Sequence, residues 1–430
     1  MVITAVSEIN DPIHGYVYLS EVEREVIDTY VFQRLRRIRQ LAGAHLTYPS
    51  AQHSRFEHSL GVMHVAGLAG NVLVNKGYLD EDKVQILRLA ALLHDVGHGP
   101  FSHLFEEVMA ERSNVTHEDL GRKIIQQTEL RDIVSKYGFS AKSISRLSFG
   151  ESKVSFLNEI IAGGLSADIM DYLQRDAYFT GAEYGKVDAE RIISSFEVYN
   201  NKLALDKAAL YSFESMMISR YEMFKAVYFH KTVRAAEVMI LRSMMLADEE
   251  LHLTDASLEG YLELTDDATM VRLANLRPKD AQLELAAKLA RDYRDRKLLK
   301  CVFEKILHKS DDIVRKVFSK KLLRSMTEEI ADISNVDPNT IYIDVSKAPS
   351  VPLTPTKEEL GAIVLVGKDA RGKKVHLVLP IREIPLISSI SGFMDMIRVY
   401  TTVESRANVE RAVKKVLGTG VESWYERVSM

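Results

Sequence analysis

A mainly α-helical protein, with an all-helical core and a smaller C-terminal α/β appendage, is predicted by three features of the sequence. Apolar residues recur at helical spacing through most of the first 300 positions, as in residues 55–75, 84–93 and 212–246. Strand-type runs are confined, apart from a short arm near the N-terminus, to the region beyond residue 338. Between these regions an acidic patch and then a lysine- and arginine-rich stretch accompany further helical spacing. The expected organisation is a core over 1–250, a helical extension over 251–335 and a small α/β unit over 336–430.

In chain order, INDPIHGYVYL joins turn residues to an alternating run and predicts a short strand or hairpin arm. The next segment, residues 20–41, has Val26, Ile27, Phe32, Leu35, Ile38 and Leu41 as an apolar stripe and is expected to be one helix. Its arginines, Arg34, Arg36, Arg37 and Arg39, fit a solvated opposite face. Residues 55–75 form a small-residue-rich helix carrying His58 and His64 on neighbouring turns. Residues 84–93 form another, which delivers His94-Asp95 before the chain breaks at Gly97. A helix is expected from about Ser102 to Arg112. Thr116 and Asp119 form an acidic capping-box pair that starts the next one, with His117 in its first turn. In residues 166–178, Asp168, Asp171, Tyr172, Arg175 and Asp176 share one helical face. Residues 212–246 read as one long apolar helix carrying Arg220, Lys225, Tyr228, His230 and Lys231. IYIDV, AIVLV and KVHLVL read as strands, interrupted by the proline-rich stretch Pro349–Pro355, and a last helix spans about Val403 to Leu417.

Composition narrows the chemistry. The chain has 430 residues and a net charge of −4, which argues against broad adhesion to nucleic acid or acidic membranes. The same acidic balance makes nucleic-acid binding by the basic Arg291–Arg324 region a minor expectation. One cysteine, Cys301, allows neither a disulfide framework nor a thiolate metal site. No leader-type N-terminus and no apolar run of about 18 residues is present, so a cytoplasmic protein is expected. Any bound metal must use nitrogen and oxygen ligands, which suit Fe, Mn, Zn, Ni or Co.

Nine of the 13 histidines fall between His14 and His117. The densest stretch is LLHDVGHGPFSH, Leu92 to His103. A His-Asp pair alone says little, but His58, His94-Asp95 and Asp168 lie on three separate helical segments. Two imidazoles and two carboxylates would hold a divalent ion and leave positions open, as a catalytic site requires. Such an ion lowers the pKa of water from about 15.7 toward 7 and neutralises phosphoryl charge. His98, His103 and His117 are then candidates for phosphate donors or a general acid, since their reference pKa is about 6.5.

With INDPIHG, IDT, FQRLRRIRQL, RFEHSLGV, HDVGHGPFSH, THE, the Asp168–Asp176 segment and YFHK in order over roughly residues 8–300, the chain resembles the HD superfamily of metal-dependent phosphohydrolases. It is most similar to that superfamily's deoxynucleoside triphosphate triphosphohydrolases. The resemblance implies His58, His94, Asp95 and Asp168 as metal ligands. It implies Arg55, His98, His103, His117, Tyr172 and Arg220 around the triphosphate, Gln40 and Asp176 at the sugar 3′-hydroxyl, and Leu41 and Tyr228 where a 2′-hydroxyl would sit. Water attacks the α-phosphorus in that family, releasing deoxynucleoside and inorganic triphosphate, and the nucleotide can bring Mg. His103 with Glu106, or His117 with Glu118, are the proton-transfer candidates. Asp28, Arg36, Arg191, Arg296 and Lys300 partly match a regulatory guanine-nucleotide site whose N-terminal lysine falls on Ser7 here, so a nucleotide activator is a hypothesis; relatives form dimers or tetramers, so a homo-oligomer is expected. Two departures stand out. Ile169 replaces a family lysine directly after the metal-binding aspartate, and Glu106 replaces an aspartate. Hydrolysis of nucleoside monophosphates or another phosphate ester, and a nucleotide-responsive binding protein with an idle site, are the alternatives.

Overall fold

The structure, a computed structural model, describes residues 4–113, 115–307, 319–346, 362–390 and 395–418. Pro349–Pro355 and residues 308–318 of the basic stretch lie outside the described residues. The fold is mainly helical, with sheets concentrated toward the C-terminus.

Strands β1 (Ser7–Asp11) and β2 (Gly15–Leu19) pair as an antiparallel hairpin. Helix α1 (Glu21–Ile27) follows, its N-terminus closed by a Ser20–Glu23 capping box. The single helix expected over 20–41 is not formed. Thr29 accepts a hydrogen bond from Phe32 N–H and so caps a new short helix, Tyr30–Gln33, which passes into a 3-10 turn, Arg34–Arg37. That break turns Arg34 inward. The residue expected on a solvated face is fully buried and donates to the Leu264 and His98 carbonyls at 3.2 and 2.8 Å.

Helix α2 (Arg55–Asn75) packs on α3 (Glu81–Leu92). Gly70 permits the close approach, because a Cβ there would sit 3.2 Å from Val84. Then come α4 (His103–Arg112), α5 (His117–Gln127), which has the expected Thr116–Asp119 capping box, and α6 (Ala167–Thr180). Hairpin strands β3 (Phe196–Tyr199) and β4 (Lys202–Asp206) turn through Asn200-Asn201, both at positive φ, a residue type suited to such turns.

The long helix expected over 212–246 is two helices. α7 (Leu210–Met223) runs into a π-helical turn, Phe224–Tyr228, and His230 then caps α8 (Lys231–Leu251) through its side chain. The turn is held from outside: Arg398 donates to the Phe229 carbonyl at 2.6 Å and Tyr228 to Asp176 at 2.6 Å. Helix α9 (Ala281–Arg294) packs along α8.

Toward the C-terminus lie β5 (Lys300–Leu307), α10 (Lys320–Ser334), β6 (Ile341–Ser346), β7 (Ala362–Lys368), β8 (Lys374–Pro380), β9 (Asp395–Thr401) and α11 (Arg406–Leu417). β6, β7 and β8 are the three expected strands. β5 lies in a region expected to be helical and pairs antiparallel with β9 in a sheet of order β5-β9-β6. α10 and α11 pack together, and with this sheet they enclose a separate apolar cluster around Phe303, Ile330, Val399 and Val409. The other two strands join the core instead: β7 pairs in parallel with β4, giving a sheet of order β3-β4-β7-β8. No helix among the described residues is long and apolar enough to cross a membrane.

Candidate metal and phosphate site

A Ser54–Glu57 capping box fixes the start of α2 and sets Arg55 and His58 one turn apart, both buried. α3 ends at Leu92, so His94 and Asp95 sit in the turn beyond it. Ligand atoms of His58, His94 and Asp95 lie within 4.8 Å of one another. Asp168, in the first turn of α6, brings Oδ1 to 3.1 Å from His58 Nε2. His94 Nδ1–H donates to the Ala91 carbonyl at 2.7 Å, which leaves Nε2 with its lone pair. That Nε2 is buried and has no hydrogen-bond partner. Burial disfavours charge on His58, yet Asp168, Asp171 and Asp95 overcome it and push the imidazole up to about 10. A bare buried imidazole nitrogen beside converging carboxylates fits a divalent cation.

A second tier fixes these groups. Asp171, fully buried, accepts from His58 Nδ1 at 2.8 Å, from His14 Nε2 at 2.7 Å and from both Nε and Nη2 of Arg175. Arg175 Nη1 reaches Asp11 Oδ2 at 2.8 Å. The shared face on α6 is therefore divided: Asp171, Arg175 and Asp176 are buried in this network, and only Asp168 and Tyr172 keep partial exposure.

Arg55 links the metal group to a second cluster. Its Nη1 donates to Asp95 Oδ2 at 2.5 Å, its Nε to Ser102 Oγ at 2.7 Å, and its Nη2 is buried without a partner. Burial opposes charge on Asp95, but Arg55, His94 and His98 hold it well below the usual carboxylate range. Phe101 and Ser102 both adopt left-handed φ. Asp266 holds this loop by accepting from Phe101 N–H at 2.7 Å. His98 is buried and stacks on His117 with ring centroids 4.1 Å apart. Glu106 meets His98 Nδ1 at 3.4 Å, His103 Nδ1 at 3.3 Å and the Nδ1 of His117. Burial counts against both charges, but the partnership holds Glu106 well below its usual range and raises His117. The expected pairing of His117 with Glu118 is absent: Glu118 turns to Arg122 at 3.3 Å, and Glu106 takes its place.

On the other side, His53 Nε2 lies 2.7 Å from Asp176 Oδ1, and Tyr228 donates to Oδ2. Gln40 N–H donates to the His53 carbonyl at 3.1 Å, and its side-chain Oε1 is buried without a partner. Arg220 donates to the Tyr172 hydroxyl, whose pKa burial pushes up to about 12. Leu41 packs partly buried against the main core. Sequence reasoning missed His53, Asp171 and Arg175 as parts of this constellation. For the latter two the helical face shared with Asp168 was the available signal; for His53, none beyond its nearness to Arg55.

The expected regulatory residues do not converge. Asp28 lines an open cleft with Arg24 and Glu129. Arg296 and Lys300 line a different cavity of about 340 Å³ together with Lys231 and Arg406. Arg36 lies over the Phe56 ring at 3.5 Å, and Arg191 reaches the Ala208 carbonyl at 3.5 Å.

Comparison with known proteins agrees with this geometry. Residues 55–176 match the HD domain family, and residues 187–423 match the HD associated region. The chain is 38% identical to the protein YwfO of Bacillus subtilis over 58% of this chain and 59% of that one. It is 32% identical to the deoxynucleoside triphosphate triphosphohydrolase SAMHD1 homolog of Dictyostelium discoideum over 76% and 64% of the two chains. With the deoxynucleoside triphosphate triphosphohydrolase SAMHD1 of Homo sapiens it shares 31% identity over 69% and 55%. The chain thus spans less than two thirds of the length of these relatives. A solved hypothetical protein from Aquifex aeolicus superposes with a TM-score of 0.75 at 29% identity, over 95% of this chain and 100% of that one. The His58–His94–Asp95 centre lies inside the matched region, and the chain belongs to the HD-domain family of metal-dependent phosphohydrolases.

Proposed function

We propose that the chain hydrolyses deoxynucleoside triphosphates to deoxynucleoside and inorganic triphosphate. The observation that carries this reading is the arrangement around Arg55. One guanidinium braces Asp95 of the metal group and keeps a buried, unpartnered Nη2 beside the histidine cluster, where a phosphate oxygen would satisfy it. The names of the Dictyostelium and human relatives support the same substrate class.

In this reading His58, His94, Asp95 and Asp168 hold a divalent ion, of which Fe, Mn, Zn, Ni and Co all suit the donor set. When bound, the ion supplies an acidified water and charge neutralisation at the phosphoryl group. The protein's own groups do the rest. Arg55, Arg220, Tyr172 and His98 bind phosphate oxygens, with Mg accompanying the nucleotide. The proton for the leaving oxygen comes from His103 or His117, each in contact with Glu106. Gln40 and Asp176 orient the 3′-hydroxyl. Leu41 and Tyr228 occupy the space of a 2′-hydroxyl, so a ribonucleotide meets a clash or an unpaired buried group.

Ile169 favours a second reading, in which a monophosphate or another phosphate ester is the substrate. It is buried in the core, so the cation that relatives place there for a triphosphate has no counterpart at this position. The deciding experiment incubates the protein with each dNTP and NTP, in Mn or Fe with Mg, and identifies the phosphate product. Inorganic triphosphate supports the first reading; orthophosphate from monophosphates alone replaces it with the second. A guanine-nucleotide activator is supported only by the basic cavity of Lys231, Arg296, Lys300 and Arg406. If GTP alters neither turnover nor the dimer or tetramer state, that part is withdrawn.

A further inference from the structure

We propose that His98, His103 and Glu106 form a second transition-metal site, distinct from the His58–His94–Asp95–Asp168 centre and suited to Zn²⁺.

Three ligand atoms, one from each residue, lie within 4.8 Å of one another. The Nδ1 atoms of His98 and His103 point at opposite oxygens of the Glu106 carboxylate, at 3.4 and 3.3 Å. His98 is 2% exposed, yet its Nδ1 makes no hydrogen bond, while Oε1 of Glu106, which it faces, is shared with His117 Nδ1. An unsatisfied buried imidazole nitrogen facing a carboxylate leaves a gap that a cation closes. Two imidazoles and one carboxylate are a common donor set for zinc with one coordination position left open. Asp95 Oδ1, 3.3 Å from His98 Nε2, would hold the ring with Nδ1 turned toward Glu106, the carboxylate–histidine support usual around bound zinc. His103, whose side chain is 72% exposed, gives the ion a path from solvent.

Occupation of this site ties up the groups assigned above to phosphate binding and proton transfer, so excess zinc should inhibit hydrolysis. That consequence rests on the proposed function; the metal binding does not.

The test loads the protein with Zn²⁺, removes free metal and counts ions per chain by elemental analysis. Two per chain are expected for the wild type, and one for Glu106→Gln and for His103→Ala. Because His103 is exposed, its removal leaves the fold intact, which circular dichroism checks. Asp168→Ala is expected to keep the ion at His98–His103–Glu106. One zinc per chain in the wild type, or two in both Glu106→Gln and His103→Ala, overturns the proposal and identifies the cluster as imidazoles sharing protons with Glu106. Two zinc ions per chain, together with no phosphate release from protein supplied only with Mn or Fe and Mg, would instead overturn the proposed function and leave this site standing.

Discussion

His58 Nδ1 lies 2.8 Å from Asp171 Oδ2, so Nε2 is the nitrogen turned toward Asp168 and Asp95. Asp171 is held in turn by Arg175, and Arg175 by Asp11. Orientation of the metal group therefore reaches back to the hairpin at the start of the chain.

Asp171→Asn should weaken metal binding by about 10–100-fold, since the support of a metal-bound histidine is worth that much. Competition with a chelator of known affinity measures it. An unchanged affinity would remove Asp171 from this role.

Gly61→Ala is expected to be severely destabilising. A Cβ at this position on α2 would overlap Asp171 Oδ1 and Arg175 Nη2, both fully buried. Displacing one member of a buried ion pair costs about 3–5 kcal/mol. Denaturant unfolding should register a loss of that order, along with loss of the tight metal equivalent.

Tyr228→Ala should lower the ratio of dNTP to NTP hydrolysis by about 10–100-fold, the range over which pocket shape discriminates small groups. Tyr228→Phe keeps the ring and loses only the hydrogen bond to Asp176, so its ratio should stay near that of the wild type. Equal kcat/KM ratios in all three proteins would place the sugar elsewhere.

His45 and His64 are both held down to about 4, chiefly by burial and secondarily by a neighbour, Arg39 for the first and His14 for the second. Unfolded, each returns to about 6.5 and binds a proton that the folded protein refuses. Stability therefore falls as pH drops below about 6.5 toward 4. Thermal midpoints measured between pH 7 and 5 should decline, and the His45→Gln/His64→Gln double variant should flatten that decline.

The helix boundaries that carry the candidate ligands have local causes: the Ser54–Glu57 capping box before His58, the break after Leu92 before His94-Asp95, and the Ser166 cap before Asp168. Burial was not legible. Helical spacing groups Asp171, Arg175 and Asp176 on one face but is silent about what covers it, and the cover comes from Asp11, His14 and His53, far away in sequence. The same limit explains Arg34, whose acceptors are carbonyls at Leu264 and His98. The π-helical turn Phe224–Tyr228 was not legible because the forces holding it, from Arg398 and Asp176, are tertiary. The mainly helical class with a C-terminal α/β part was readable; the attachment of β7 to β4 was not, because strand pairing leaves no local mark.

That attachment bears on how the protein is made. β4 finds its neighbour about 160 residues further along the chain, where Ala204 stands beside Val364. At ribosomal speeds of about 5–20 residues per second, the nascent β3–β4 hairpin waits roughly 10–30 s with one apolar edge unpaired. During that interval it is an invitation to other nascent chains. Yield during synthesis should therefore depend on translation speed and chaperone supply between these two segments, even for variants whose finished fold is as stable as the original.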